Sequence, residues 1–157
     1  MKMAKKVILV ESVDSEREIH KKVMGLIGYD VHAYKDGFSA LRHIVQNGHA
    51  PFVLVGPFNM GDVYSADEVK RCLNVHSRRT GVDYGMVSFD VPDAARGVLE
   101  KERVPYVRRE FDLTRISEKV DEEFRRLEKA QASKQAYEGL SEIGKMLLGA
   151  ELMSSAV

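Results

Sequence analysis

Phe52-Val53-Leu54-Val55-Gly56-Pro57-Phe58-Asn59-Met60-Gly61-Asp62 is the stretch on which the fold turns. Residues 52–55 are a continuous run of apolar strand formers, the pattern of a parallel strand buried on both faces. Gly56-Pro57 ends the run, because proline has no N–H for a ladder and its ring restricts the residue before it. In an open α/β sheet the loop leaving the carboxyl end of such a strand is where chemistry sits. Here that loop begins with two residues that have no ionisable or nucleophilic side chain.

On the N-terminal side, residues 7–10 form a second apolar, β-branched run and predict the first strand. Glu11-Ser12-Val13-Asp14-Ser15 is suited to starting a helix, with Ser12, Asp14 or Ser15 as N-cap. Ile19, Val23, Leu26 and Ile27 recur at helical spacing and predict its buried side, closed by Gly28. Residues 29–34 alternate like a strand, and Asp36-Gly37 turns the chain into a helix carrying Phe38, Leu41, Ile44 and Val45 and closed by Asn47-Gly48.

On the C-terminal side, Ser65 and Glu68 have capping-box spacing and open a helix with Val69, Cys72 and Leu73 inward. Residues 77–81 are a polar connector, and residues 82–88 predict a fourth strand weakened by Gly85. Pro92-Asp93 opens a helix with Ala94, Ala95, Val98 and Leu99 inward. Residues 104–107 predict a fifth strand, and Leu113 begins a helix with Ile116, Val120, Phe124 and Leu127 on its inner face. Five strands alternating with five helices predict a parallel sheet covered on both faces.

Residues 128–136 hold no large apolar side chain and read as a helical linker or a continuation of the helix. Beyond them Tyr137, Leu140, Ile143 and Leu147 make a fresh apolar stripe, joined by Met146 and Leu148. The expected division is a domain over 1–127, the linker over 128–136 and an amphipathic helix over 137–152. The polar run would carry that helix away from the domain, so a homodimer formed through it is expected over a helix that folds back.

The 157 residues include 24 basic and 24 acidic side chains, so no global field attracts nucleic acid or an anionic membrane. With 44% hydrophobic and 31% charged residues the composition is that of a soluble globular protein. Cys72 is the single cysteine, which excludes a disulfide framework and a multi-cysteine zinc site. His20, His32, His43, His49 and His76 share no metal-ligand spacing, and Arg78-Arg79 has no flanking aromatics. No metal, cofactor, nucleic acid or membrane is expected, and a cytoplasmic location is the default.

The order and punctuation of these elements resemble the receiver domain of bacterial response regulators. Val7-Ile8-Leu9-Val10-Glu11 with the helix ending Leu26-Ile27-Gly28-Tyr29-Asp30-Val31 looks like the family's first strand and helix. Tyr34-Lys35-Asp36-Gly37-Phe38-Ser39-Ala40-Leu41 is similar to its Asp-Gly-x-x-Ala-Leu turn and helix. Phe52-Val53-Leu54-Val55 with Asn59-Met60 looks like its central strand and following loop. The resemblance covers residues 5–127 and implies a flavodoxin-like three-layer sandwich with five parallel strands in the order 2-1-3-4-5. Cobalamin-binding domains and flavodoxins share the frame, but the Asp-x-His-x-x-Gly loop of the first and the Ser/Thr-rich phosphate loop of the second are missing. Gly-x-Ser-x-Gly, Walker and Gly-x-Gly-x-x-Gly motifs are absent too.

What the family does chemically rests on a few groups, and the resemblance places each of them here. The adjacent acidic pair that holds Mg²⁺ is matched by Glu11-Ser12, which leaves one carboxylate for a cation that needs octahedral oxygen ligation. The phosphoacceptor position falls on Gly56 counted from the strand, or on Pro57 counted back from Asn59-Met60. The switch hydroxyl is matched by Ser88, the phosphate-pairing lysine by Arg109, and the proline after it by Glu110. Asp62 lies past the strand end and Asp14 suits a helix start, so neither reads as a displaced acceptor. The implied function is that of a pseudo-receiver, a non-enzymatic signalling module that binds a protein partner without being phosphorylated. The alternatives are a response regulator with a relocated acceptor and a small-ligand sensor using the vacated pocket. An ion pair between Arg109 and Glu11 is expected to stand in for the missing phosphate contact.

Overall fold

The computed structural model describes residues 5–47, 50–61 and 64–155. β1 (Lys6–Val10) leads into α1 (Asp14–Leu26), β2 (Asp30–Tyr34) into α2 (Gly37–Asn47), and β3 (Phe52–Pro57) into α3 (Ala66–Thr80). β4 (Tyr84–Phe89) is followed by a 3₁₀ turn (Asp93–Ala95), α4 (Arg96–Lys101) and α5 (Leu113–Ser155). The strands are parallel in the order β2-β1-β3-β4.

Alternation along the strands builds a core on each face. Ile8, Val10, Leu54 and Met86 meet Ala40 and Ile44 of α2, Val69 and Leu73 of α3, and Leu99 of α4. Val7, Leu9, Val53, Val55 and Val87 meet Met24 of α1 and Ile116, Val120, Phe124 and Leu127 of α5. Gly85 lies directly under α5, since a Cβ there would lie 2.9 Å from Glu123 Cβ. The glycine that weakens β4 locally is what lets α5 pack against it.

Four strands form the sheet, where five were expected. Residues 104–107 reach β4 only through an isolated bridge between Ser88 and Tyr106. Ser88 N–H donates to Pro105 O at 3.0 Å and Val107 N–H to Ser88 O at 2.8 Å. The next amide in the ladder, Asp90 N–H, bonds Arg109 O in place of Val107 O, so the register slips by two residues. Asp90 has left-handed backbone at φ 52, and Pro105 has no N–H to give, so the pairing stops after one bridge.

Four helical faces differ from the periodicity reading; around α4, Ala94 and Val98 are exposed while Ala95 and Leu99 are buried. In α1, Ile19, Leu26 and Ile27 are exposed and Met24 is the buried residue; Val13 is the N-cap, with no side-chain bond. In α2, Phe38 and Val45 are exposed while Ala40 and Ile44 are buried. Cys72 is exposed, and the connector expected at 77–81 is the last turn of α3, which runs to Thr80. The Ser65–Glu68 box is present, with Ser65 N–H donating to Glu68 Oε1 at 3.2 Å.

α5 is one continuous helix. Its last ties to the domain are Arg126, which bonds Glu123 at 2.8 Å and Tyr84 O at 3.0 Å, and Lys134, which bonds Asp83 at 2.8 Å. Beyond Lys134, Tyr137, Leu140, Ile143, Met146, Leu147 and Leu148 are 55–75% exposed. No helix among the described residues is long and apolar enough to cross a membrane.

Candidate functional site

The carboxyl ends of β1, β3 and β4 bring Glu11, Gly56, Pro57 and Ser88 to one end of the sheet. Gly56 pairs with Ser88, whereas Pro57 pairs with Phe89. Paired residues of parallel strands share a sheet face, so Gly56 is the position that faces the site alongside Ser88. A Cβ on Gly56 would lie 3.1 Å from Met60 Cε, 3.1 Å from Val10 Cβ and 3.5 Å from Met60 Sδ. The methionine is fully buried. Its backbone is held on both sides, with Gly37 N–H donating to Met60 O at 3.0 Å and Met60 N–H to Tyr64 O at 3.2 Å. The thioether therefore fills the space beside Gly56 at the end of β3.

Glu11 is buried. Its Oε1 accepts from Val13 N–H at 3.3 Å, and its Oε2 lies 3.8 Å from His20 Nδ1. Arg17 closes the loop from outside, donating to Glu11 O at 3.0 Å and to Asp14 at 2.6 Å. His20 stacks on Phe111 at 3.7 Å between ring centroids, and Phe111 meets Phe89 edge-on at 5.4 Å. Burial lowers the His20 pKa below its ordinary value, against the opposing pull of Glu11 and Glu16. Ser12 is exposed, and the turn at Gly61 (φ 81) packs over it, with a Cβ on Gly61 falling 3.2 Å from Ser12 Cβ.

Ser88 is fully buried and its hydroxyl has no hydrogen-bond partner among the described residues. The expected Arg109–Glu11 pair does not form. Arg109 and Glu110 are exposed, and Arg109 has no ion pair among the described residues. The slip in register after Tyr106 pins the Arg109 backbone at the end of β4, where its carbonyl accepts from Asp90 N–H at 2.9 Å, while its side chain is exposed, and the His20–Phe111 stack lies beside Glu11 instead. Asp62 and His49 fall outside the described residues. Among the described residues no group of three or more His, Cys, Asp or Glu side chains is arranged to hold a metal.

Sequence reasoning missed Met60 as the filler, and His20 and Phe111 as the wall beside Glu11. The signal for Met60 was a glycine and a proline at the strand end, which leave a hole for a flexible side chain nearby. It also treated the histidines as scattered, yet His32 on β2 and His43 on α2 stack at 5.5 Å, with Tyr34 5.1 Å from His43.

No family model matches the chain, and no curated protein does. Solved structures do. The response regulator StyR superposes with a TM-score of 0.68 at 16% identity, over 88% of this chain and 68% of its own. The Vibrio cholerae chemotaxis protein CheY4 superposes at 0.62 with 17% identity, over 76% of this chain and 98% of its own. The fold is that of a receiver domain. A chain described as a yeast Spc42 trimeric coiled coil fused to another structure aligns over 100% of this chain and 99% of its own, at TM-score 0.69 and 13% identity.

Proposed function

We propose that this chain is an atypical receiver: a cytoplasmic, non-enzymatic interaction module of bacterial signalling that binds its partner without first taking a phosphoryl group. The observation that carries the reading is the Met60 side chain packed against Gly56. Phosphoryl transfer to a receiver requires an acceptor carboxylate beside a divalent cation. At this strand end the acceptor position has no side chain, its neighbouring space is occupied, and the remaining carboxylate, Glu11, is held by the Val13 amide beside His20. A small-ligand sensor would need the same space, and an acceptor moved to Asp14 would need a carboxylate that Arg17 already binds.

Two surfaces suit an interaction role. On α1, Ile19, Leu26 and Ile27 share one outward apolar face, flanked by Lys22 and Glu18. One receiver of this fold, from Saccharomyces cerevisiae, was solved with a histidine phosphotransfer signalling protein (TM-score 0.63, 13% identity), which supports a signalling protein as the partner class. The second surface is the exposed part of α5. Its stripe, together with the coiled-coil description of the full-length structural neighbour, supports association between copies of this chain, the homodimer being the simplest form.

Thermal melting with and without Mg²⁺ and acetyl phosphate tests the reading. A site that binds neither leaves the midpoint unchanged, whereas a working site gains stability by mass action. A reproducible rise that needs both reagents contradicts it.

A further inference from the structure

Residues 104–107 reach β4 only at Ser88, and the start of that strand is left without a fifth strand beside it. A cavity of about 530 Å³ opens there, between the middle of α3, Tyr84 at the start of β4, the segment after α4, and α5. Small-molecule sites have volumes of about 300–1,000 Å³. The strands are parallel, so this cavity lies at the opposite end of the sheet from Glu11, Gly56 and Ser88.

Charges of both signs line the cavity, but its acids are already paired. Glu123 is buried and accepts from Arg126 Nε at 2.8 Å and from Met86 N–H at 3.4 Å. Asp83 is held by Lys134 at 2.8 Å, and Glu102 lies 3.9 Å from Arg71. Arg126 spends its other arm on Tyr84 O at 3.0 Å. The cations left over are Lys70 and Arg103. Neither side chain has an ion pair or a hydrogen bond among the described residues.

Lys70 is the more telling of the two. It is half-buried, and its ammonium lies 4.5 Å from the centre of the Tyr84 ring. That ring is fixed in place, because its hydroxyl donates to Asn74 Oδ1 and to Lys70 O. Asn74 and Ser77 follow Lys70 on the same face of α3 and line the same wall. Burial, and then the charge of Arg126, lower the Lys70 pKa against the opposing pull of Glu123 and Glu102. A cation withdrawn from water beside a second cation, with no carboxylate of its own, is stabilised by an anion that enters the cavity. We propose that this cavity binds a small oxyanion, a phosphate or carboxylate group held by the Lys70 ammonium and the Arg103 guanidinium. Charge-assisted donors of these two kinds suit such a group. The site is separate from the strand-end reading and stands or falls without it.

Titration calorimetry and thermal melting of the full chain test it, with potassium phosphate and potassium succinate as probes and potassium chloride matching the ionic strength. The expected result is saturable heat at one site per chain and a raised melting midpoint with at least one probe. A response to phosphate alone assigns a phosphate group, and a response to succinate alone a carboxylate. No saturable heat and no midpoint rise with either probe at millimolar concentration overturns the proposal. Lys70→Met keeps an unbranched apolar stem and removes the charge, and is expected to weaken binding at least about tenfold. Binding unmoved by that change places the anion elsewhere and overturns the proposal. Should Lys70→Met fail to fold, Arg103→Gln at an exposed position decides in the same way, with a severalfold loss expected. Arg109→Gln, at the other end of the sheet, is expected to leave binding unchanged. An equal loss there shows attraction to surface charge in general and overturns the site.

Discussion

At the scale of single residues, the Met60 thioether packs beside Gly56 at the end of β3, and the consequence is measurable. Gly56→Asp introduces a Cβ into contacts already at 3.1 Å from Met60 and Val10. Overpacking of this kind costs about 1–3 kcal/mol, and a buried carboxylate without a partner adds to it. Met60→Ala in the same chain makes room, so urea unfolding is expected to show the two changes coupled by roughly 0.5–3 kcal/mol in the favourable direction. Strictly additive losses would mean that Met60 is not what fills the space. His20 gives a second readout. Burial holds its folded pKa below the unfolded value of 6.5, so the neutral ring is favoured in the native state. The stability it contributes is present above that value and is lost as pH falls through 6.5 towards the lower folded pKa. His43 shifts in the same direction, through burial and then Lys6 and His32. Melting midpoints are expected to fall between pH 7.5 and 5.5, and His20→Phe, which keeps the stack on Phe111, is expected to shallow that fall. An unchanged slope in this variant would remove His20 from the account.

At the scale of elements, apolar runs and punctuation made most of the fold legible. Residues 7–10 and 52–55 are buried strands because every position in them is apolar, as two covered faces demand. The fifth strand was not legible, because Val104 to Val107 has the right composition while the ladder is stopped by a slip of register that composition does not encode. α1 shows a different limit. Ile19, Val23, Leu26 and Ile27 do lie on one face, but periodicity says only that a face is apolar, not that its own domain covers it. The inner side is made by Met24 with half-buried Arg17 and His20, and the stripe is left for solvent or a partner. Ile19→Asp and Leu26→Asp are therefore expected to change stability by no more than about 0.5 kcal/mol, as at other surface positions. A loss of several kcal/mol on unfolding would show that the face is covered within the chain. Gly85→Val is expected to do the opposite. It drives a side chain into Glu123 Cβ, 2.9 Å from where its own Cβ must sit, and should cost at least about 1–3 kcal/mol through the α5–β4 contact. The residues at the strand ends were legible, since Glu11-Ser12 follows β1 and Gly56-Pro57 closes β3. What occupies the space was not, because Met60 reaches it through a turn, not through the strand.

At the scale of the whole molecule, α5 belongs to two environments. Up to Leu127 its apolar side chains are buried against the sheet, and past Lys134 they are bare. Amide hydrogen exchange is expected to show this division: protection over 113–127 regardless of assembly, and protection over 134–149 only while copies are associated. Fast exchange over 134–149 in the assembled protein would contradict association through α5. Under the proposed reading the receiver frame stays in one state, because Gly56 at the end of β3 offers no acceptor side chain. Intact mass spectrometry after incubation with Mg²⁺ and acetyl phosphate reads that claim most directly. The predicted spectrum is that of the unmodified 17.7 kDa chain. An acid-labile gain of ~80 Da, the mass of one phosphoryl group, would contradict it.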